Sequence, residues 1–175
     1  WSKTVWEIID LDERINFPLY YPEEPENLGE ERKSLFDVIM TGISDGRIKE
    51  IYKGGGEGYF REKMTYQQVL DGMKGEFQLP TYADVFNDCD PNCDPEVLKE
   101  HLIFPRLSSK DVLQYRIKGT WYFDKRQGEL KYRLLGIAPC ARDLEVYNPE
   151  GIIPEEEKDI TFPLFWVWYP DARDV

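Results

Sequence analysis

Histidine occurs once and cysteine three times in 175 residues. The lone His101 has no serine or cysteine at a recognisable nucleophile spacing, which argues against a catalytic triad. Three cysteines are too few for a disulfide scaffold; Cys89 and Cys93 lie close enough to bridge a tight loop in an oxidising compartment, and spacing alone leaves that pairing open. No run approaches the roughly 20 apolar residues of a membrane span, so direct membrane insertion is not expected. No charged-then-apolar leader opens the chain, and Trp1 in first place suggests a processed product or a cut chain, so the compartment is left open. Cations are also scarce: 22 Lys and Arg face 34 Asp and Glu, a net charge of −12. That balance repels a phosphate backbone and an anionic leaflet, and it argues against nucleic acid as a partner. It favours encounter with a basic protein surface instead.

What is present is a folded chain's composition. Aromatic residues make up 14% of the sequence, enough large apolar surface to argue against disorder. Val5 to Leu11 reads as a short strand or arm away from the sheet centre, and the prolines of Asn16 to Pro22 predict continued extended backbone. Ser34 with Asp37 forms a capping box, followed by Leu35, Phe36, Val38, Ile39 and Ile43 at helical spacing up to Gly46. Arg47 to Lys53 predicts a short strand, and Gly54-Gly55-Gly56 a flexible turn, since no Gly-Lys-Ser/Thr ending makes it a phosphate cradle. Thr65 with Gln68 is a second capping box, and Asp94-Pro95 opens a short helix to about His101.

The strongest periodicity lies further on. Leu113, Tyr115, Ile117, Trp121 and Phe123 alternate with Gln114, Arg116, Lys118, Thr120 and Asp124, which predicts a half-buried strand with one wet face. Leu130, Tyr132 and Leu134 continue it as an antiparallel hairpin, and the change of phase at Leu135 predicts a bulge or burial of both faces. Arg142 to Asp159 reads as a surface loop, and Phe162 to Tyr169 as a strand that is central or covered. The prediction is one α+β domain: an antiparallel sheet centred on this hairpin and flanked by a few short helices.

Three candidate sites follow. Asp88, Asp90, Asn92 and Asp94 set oxygen ligands at alternate positions, as in the first half of a calcium loop. Cys93 replaces the glycine, however, and Lys99 the closing carboxylate, so a tight turn ending in a helix cap is the competing reading. Trp166 and Trp168, two apart on one strand face with Tyr169 beside them, serve the core, a partner interface or a carbohydrate platform. Tyr20 and Tyr21 are a further candidate contact. Abundant carboxylates make chance acid pairs expected, so a small acid/base hydrolase rests on little.

Four segments resemble the GldN/PorN family of the gliding-motility and type IX secretion apparatus. They are Val5 to Leu11 with Ile15 to Pro22; Leu35-Phe36-Asp37 with Gly46-Arg47-Ile48; Tyr115 to Lys118 with Trp121 to Asp124; and Arg133 to Pro139 with Leu164 to Pro170. The resemblance implies a non-catalytic, cofactor-free subunit at the periplasmic side of the outer membrane. It would join a GldK- or PorK-like lipoprotein in a ring, self-associate there, and meet the periplasmic part of a GldM- or PorM-like motor subunit. The resemblance implies a single domain over 1–175 and a further C-terminal segment after Val175. Gly119-Thr120 departs from the acidic residues expected before Trp121, and the Asp88 to Asp94 loop has no counterpart. A secreted carbohydrate-binding module is the alternative expectation.

Overall fold

A computed structural model of the protein describes residues 1–22, 32–54, 60–77, 79–80, 102–148, 154, 156 and 158–173. The partial calcium loop at Asp88, Asp90, Asn92 and Asp94, the Cys89–Cys93 pair and the helix predicted after Asp94 lie outside the described residues.

The long alternating segment forms two strands, β5 (Val112–Asp124) and β6 (Glu129–Arg142), joined at Lys125–Gly128 into an antiparallel hairpin. The Asp124 carboxylate accepts from the Arg126 amide at 2.9 Å and the Gln127 amide at 3.3 Å, which fixes the turn. Lys118 opposes Gly136 while Gly119 opposes Leu134, so Leu135 is the extra residue of a bulge. This is where the alternation changes phase in the sequence.

Around the hairpin the sheet runs β1-β5-β6-β8-β2, all pairings antiparallel, with a sixth strand, β7 (Thr161–Pro163), also on β6. β1 (Ser2–Asp10) is an edge strand, as expected of an arm away from the centre. β8 (Phe165–Trp168) lies between β6 and β2 (Ile51–Lys53), and Phe165, Trp166 and Val167 are all buried. Its apolar residues on both faces fit that interior place. Two-residue strands β3 (Leu79–Pro80) and β4 (Leu102–Ile103) pair separately.

Both predicted N-caps start helices, and the second forms the full reciprocal box, while at the first the Asp37 carboxylate accepts from the Ser34 hydroxyl at 2.7 Å. The Ser34 hydroxyl accepts from the Asp37 amide at 3.1 Å ahead of α2 (Leu35–Ser44), and Thr65 and Gln68 bond reciprocally ahead of α3 (Tyr66–Gly72). Phe36, Ile39 and Ile43 of α2 and Val69 of α3 pack with Leu11, Val112, Tyr115, Ile137, Phe165, Val167 and Ile51 in one core. The helices therefore cover one face of the sheet, called here the inner face. The result is a compact α+β domain, as the sequence predicts.

Three segments differ from expectation. Asn16 to Pro22 is not extended: after a 3-10 turn (Arg14–Asn16), Phe17–Tyr20 forms a single helical turn, α1, in which Pro18 occupies an early position where its missing N–H costs nothing. Strand β2 begins only at Ile51, because the Lys49 and Glu50 amides donate to the Asp171 carboxylate at 2.6 and 3.0 Å instead of to a ladder. Asp171 belongs to α4 (Tyr169–Ala172), so Tyr169 leaves the strand and opens a helix.

Candidate functional site

Period-two alternation assigns each strand residue to a face, and the register carries the assignment across the sheet. Trp6 opposes Lys118, Lys118 opposes Gly136, Gly136 opposes Trp168, and Trp166 opposes Tyr52. These residues share the outer face, away from α2 and α3. Phe60 lies over them, with ring centroids 5.3 Å from Tyr52, 5.7 Å from Trp166 and 5.4 Å from Trp168. Trp6 meets Trp166 edge-on at 5.6 Å. All four contacts are edge-to-face, the arrangement favoured by ring quadrupoles.

Lys118 lies within this cluster, its Nζ 4.5 Å from the Trp6 ring centre and 5.3 Å from that of Phe60. Burial among the rings lowers its pKa from the usual lysine value. The face expected to be wet is thus half-buried: Gln114, Arg116, Lys118 and Thr120 are all partly covered, and Arg116 donates to the Thr161 carbonyl at 2.9 Å. At the sheet edge Glu50 accepts from Lys63 at 2.6 Å and from the Tyr52 hydroxyl. The Lys63 bond, then that of Tyr52, lowers the Glu50 pKa, and the Glu50 carboxylate raises the Tyr52 phenol.

The predicted contact residues do not share one surface. Trp166 is only 1% exposed, so it supports the cluster from below and offers no ring face. Trp168 is half-buried on the same outer face, and Tyr169 stands at the start of α4. The carbohydrate platform requires both tryptophans at a surface, and Trp166 is not there. Tyr20 and Tyr21 lie at one end of the sheet, edge to face at 4.9 Å, beside a groove of about 250 Å³ lined with Leu11, Asp12, Phe17 and Val112. Sequence reasoning missed Trp6, Tyr52, Phe60 and Lys118. The even spacing of Trp6 from Ile8 carries a weak signal for one of them, and nothing in the sequence around Phe60 carries any.

A second exposed feature is the hairpin's distal half. Beyond Ile117 and Ile137 the sheet continues as a three-stranded arm of β1, β5 and β6. On its inner face Val5, Trp121, Phe123, Leu130, Tyr132 and Leu134 follow one another, and none joins the core. Phe123 is 45% and Leu130 55% exposed. The other face carries Thr4, Thr120, Tyr122, Lys131 and Arg133, with Arg133 over the Tyr122 ring at 5.5 Å. Among the described residues the inner face of the arm is exposed at Phe123 and Leu130 and partly covered at Val5, Trp121, Tyr132 and Leu134.

Among the described residues no three His, Cys, Asp or Glu side chains gather as a metal site, and no helix is long and apolar enough to cross a membrane. Fold and surface together define an α+β domain: a sheet covered by helices on one side, with an aromatic cluster on its outer face and exposed apolar residues at the end of its hairpin. The chain belongs to the GldN family, described as gliding motility associated protein GldN, whose model matches residues 1–175. A search of curated proteins finds no match.

Proposed function

We propose that this chain is a non-enzymatic structural subunit of the gliding-motility and type IX secretion machinery. It acts in the periplasm at the inner face of the outer membrane, where it joins a GldK- or PorK-like lipoprotein in a ring. A GldM- or PorM-like motor subunit is the partner on the opposite side. The observation that carries the reading is the family match over residues 1–175. The arm supports it, because Phe123 and Leu130 expose apolar area that a freestanding domain would gain by covering. In this reading Tyr20, Tyr21, Trp168 and Tyr169 are rim contacts, and Trp166 acts through the packing beneath them.

The test is light scattering on a sizing column, with the chain alone and then with the lipoprotein freed of its lipid. A co-eluting complex that Phe123→Asp weakens is the expected result. Separate elution of both proteins, repeated with a version extended at its C-terminus, would overturn the assignment of partner.

A further inference from the structure

The outer face holds one aromatic ring in a slot, and the ring in it is that of Phe60, a turn residue that belongs to no strand. Gly136 is the floor. Its missing Cβ leaves the space in which Phe60 Cζ sits, since a Cβ there would come within 2.2 Å. Tyr52, Trp166 and Trp168 are the walls, and each meets the ring edge to face with centroids 5.3, 5.7 and 5.4 Å away. Aromatic pairs in that arrangement gain more than their buried area alone supplies. Phe60 is only half-buried, so the slot opens to solvent.

Phe60 fills the slot at a cost to its own backbone. Its φ of 61° is left-handed, which disfavours a bulky residue by about 5- to 150-fold. A ring carried on an extended chain would meet the same walls without that penalty. Four of the five residues from Gly54 to Gly58 are glycine, and glycine takes either sign of φ without steric cost. The sequence leading to Phe60 therefore sets no preference for the seated conformation.

Charge beside the slot selects what an incoming ring should carry. Lys118 Nζ stands 5.3 Å from the centre of the Phe60 ring and 4.5 Å from that of Trp6, which is itself 46% exposed. The acid bonded to Tyr52 is Glu50, and Lys63 holds it as well. A carboxylate next to an incoming ring would thus meet a cation at the slot and an acid already engaged.

We propose that Phe60 is an exchangeable occupant of a binding slot, and that the other occupant is an aromatic side chain with an acidic group beside it, carried by an extended segment of a partner protein. The exchange replaces one ring by another on the outer face and leaves the core on the inner face as it is. The slot is defined by its own walls and floor, so it is independent of the partner proposed above.

N-acetylphenylalanine, one ring with one carboxylate, is the probe, and the indole N–H signals in heteronuclear NMR spectra of the full chain are the readout. Phe60→Gly keeps the left-handed backbone without strain and empties the slot. It is expected to bind the probe at least about tenfold more tightly than the wild type, whose slot is open only part of the time. The Trp6 and Trp168 signals should move in both proteins. The amide of the probe, which lacks the charge, should bind more weakly than the acid at low salt and equally well at high salt. Lys118→Met should remove that difference, and N-acetylleucine should bind more weakly than either.

Phe60→Ala repeats the measurement if the glycine variant unfolds, and the wild-type titration decides alone if both do. An emptied slot that ignores the probe, or that takes N-acetylleucine equally well, would overturn the slot. Wild-type indole signals that stay fixed at ten times the concentration saturating Phe60→Gly, or at the solubility limit of the probe, would overturn the exchange and make Phe60 permanent packing. An acid that binds no better than its amide would overturn the acidic class of partner. None of these outcomes moves the lipoprotein assay, so the two readings fail separately.

Discussion

The ring of Phe60 occupies the space above Gly136: a Cβ at residue 136 would come within 2.2 Å of Phe60 Cζ. Phe60 has φ of 61°, a conformation that a bulky residue keeps only where its surroundings hold it. Its seat among Tyr52, Trp166 and Trp168 is that surrounding. Gly136→Ala should therefore displace the ring, costing about 1–3 kcal/mol. Near-ultraviolet circular dichroism should lose aromatic signal, and in a Phe60→Ala background the same substitution should cost far less. Additive effects would show that the two residues do not share this space.

Tyr132 presents the opposite case. Its hydroxyl is buried over Gly119, where a Cβ would meet it at 2.1 Å, and it has no hydrogen-bond partner among the described residues. Tyr132→Phe removes an oxygen that burial leaves unsatisfied, so urea midpoints should show no loss, or a gain of up to about 1 kcal/mol. Gly119→Ala should destabilise. A clear loss in Tyr132→Phe would mean that the hydroxyl is bonded in solution.

Local chemistry was legible in the sequence wherever a short-range rule governed it. The Ser34 cap on the Asp37 amide, the Thr65–Gln68 box and the phase change at Leu135 each depend on neighbours within a few residues, and each appears where expected. Alternation also gave the faces of the hairpin strands correctly. It could not say which face is covered: Lys118 looked wet because nothing near it in sequence reveals Trp6 or Phe60 above it. Trp166 and Trp168 were rightly placed on one face, yet only the pairing of β8 between β6 and β2 makes the first buried and the second accessible. Asn16 to Pro22 misled because proline fits both an extended chain and the first turn of a helix.

Asp171 is a long-range cap. Its carboxylate takes the Lys49 and Glu50 amides, and the Trp168 amide donates to the Glu50 carbonyl at 3.0 Å. Asp171→Ala should cost about 1–3 kcal/mol, since two amides lose a charged acceptor. Hydrogen exchange at Lys49 and Glu50 should accelerate more than at Ile39 or Val167. Equal acceleration everywhere would point to global destabilisation alone.

The Glu50 cluster gives stability a pH dependence at both ends. The Glu50 pKa is lowered by Lys63 first and Tyr52 second, so its contribution is present above the ordinary carboxylate value and is lost as pH falls through the lowered one. The Lys63 pKa is raised, chiefly by the Glu50 bond, so its contribution is complete below the ordinary lysine value and is lost as pH rises through the raised one. Urea midpoints measured across pH should show both limbs, and Glu50→Gln should flatten each. An unchanged profile in that variant would assign the dependence to other groups.

Cys140 is fully buried, and burial pushes its thiol up to about 11. The thiolate is the reactive species, so an alkylating reagent near neutral pH should spare this residue until the protein unfolds. Peptide mass spectrometry after labelling reads this directly. Native labelling of Cys140 would show that β6 opens without global unfolding.

The order of strands in the sheet also sets a timetable. Ser2 pairs with Tyr122 and Ile51 with Val167, so the first strand waits for the hairpin and β2 waits for the last strand. Among the described strands β5 and β6 are the pair joined by a turn of only four residues, Lys125–Gly128. The hairpin is therefore the natural nucleus, and closure over the rest is slow because distant segments must be brought together first. A chain threaded through a membrane from its N-terminus would stay incomplete until residues near Trp168 had emerged. The uncovered arm would then be the earliest part to take shape, available to a neighbour before the body behind it had closed.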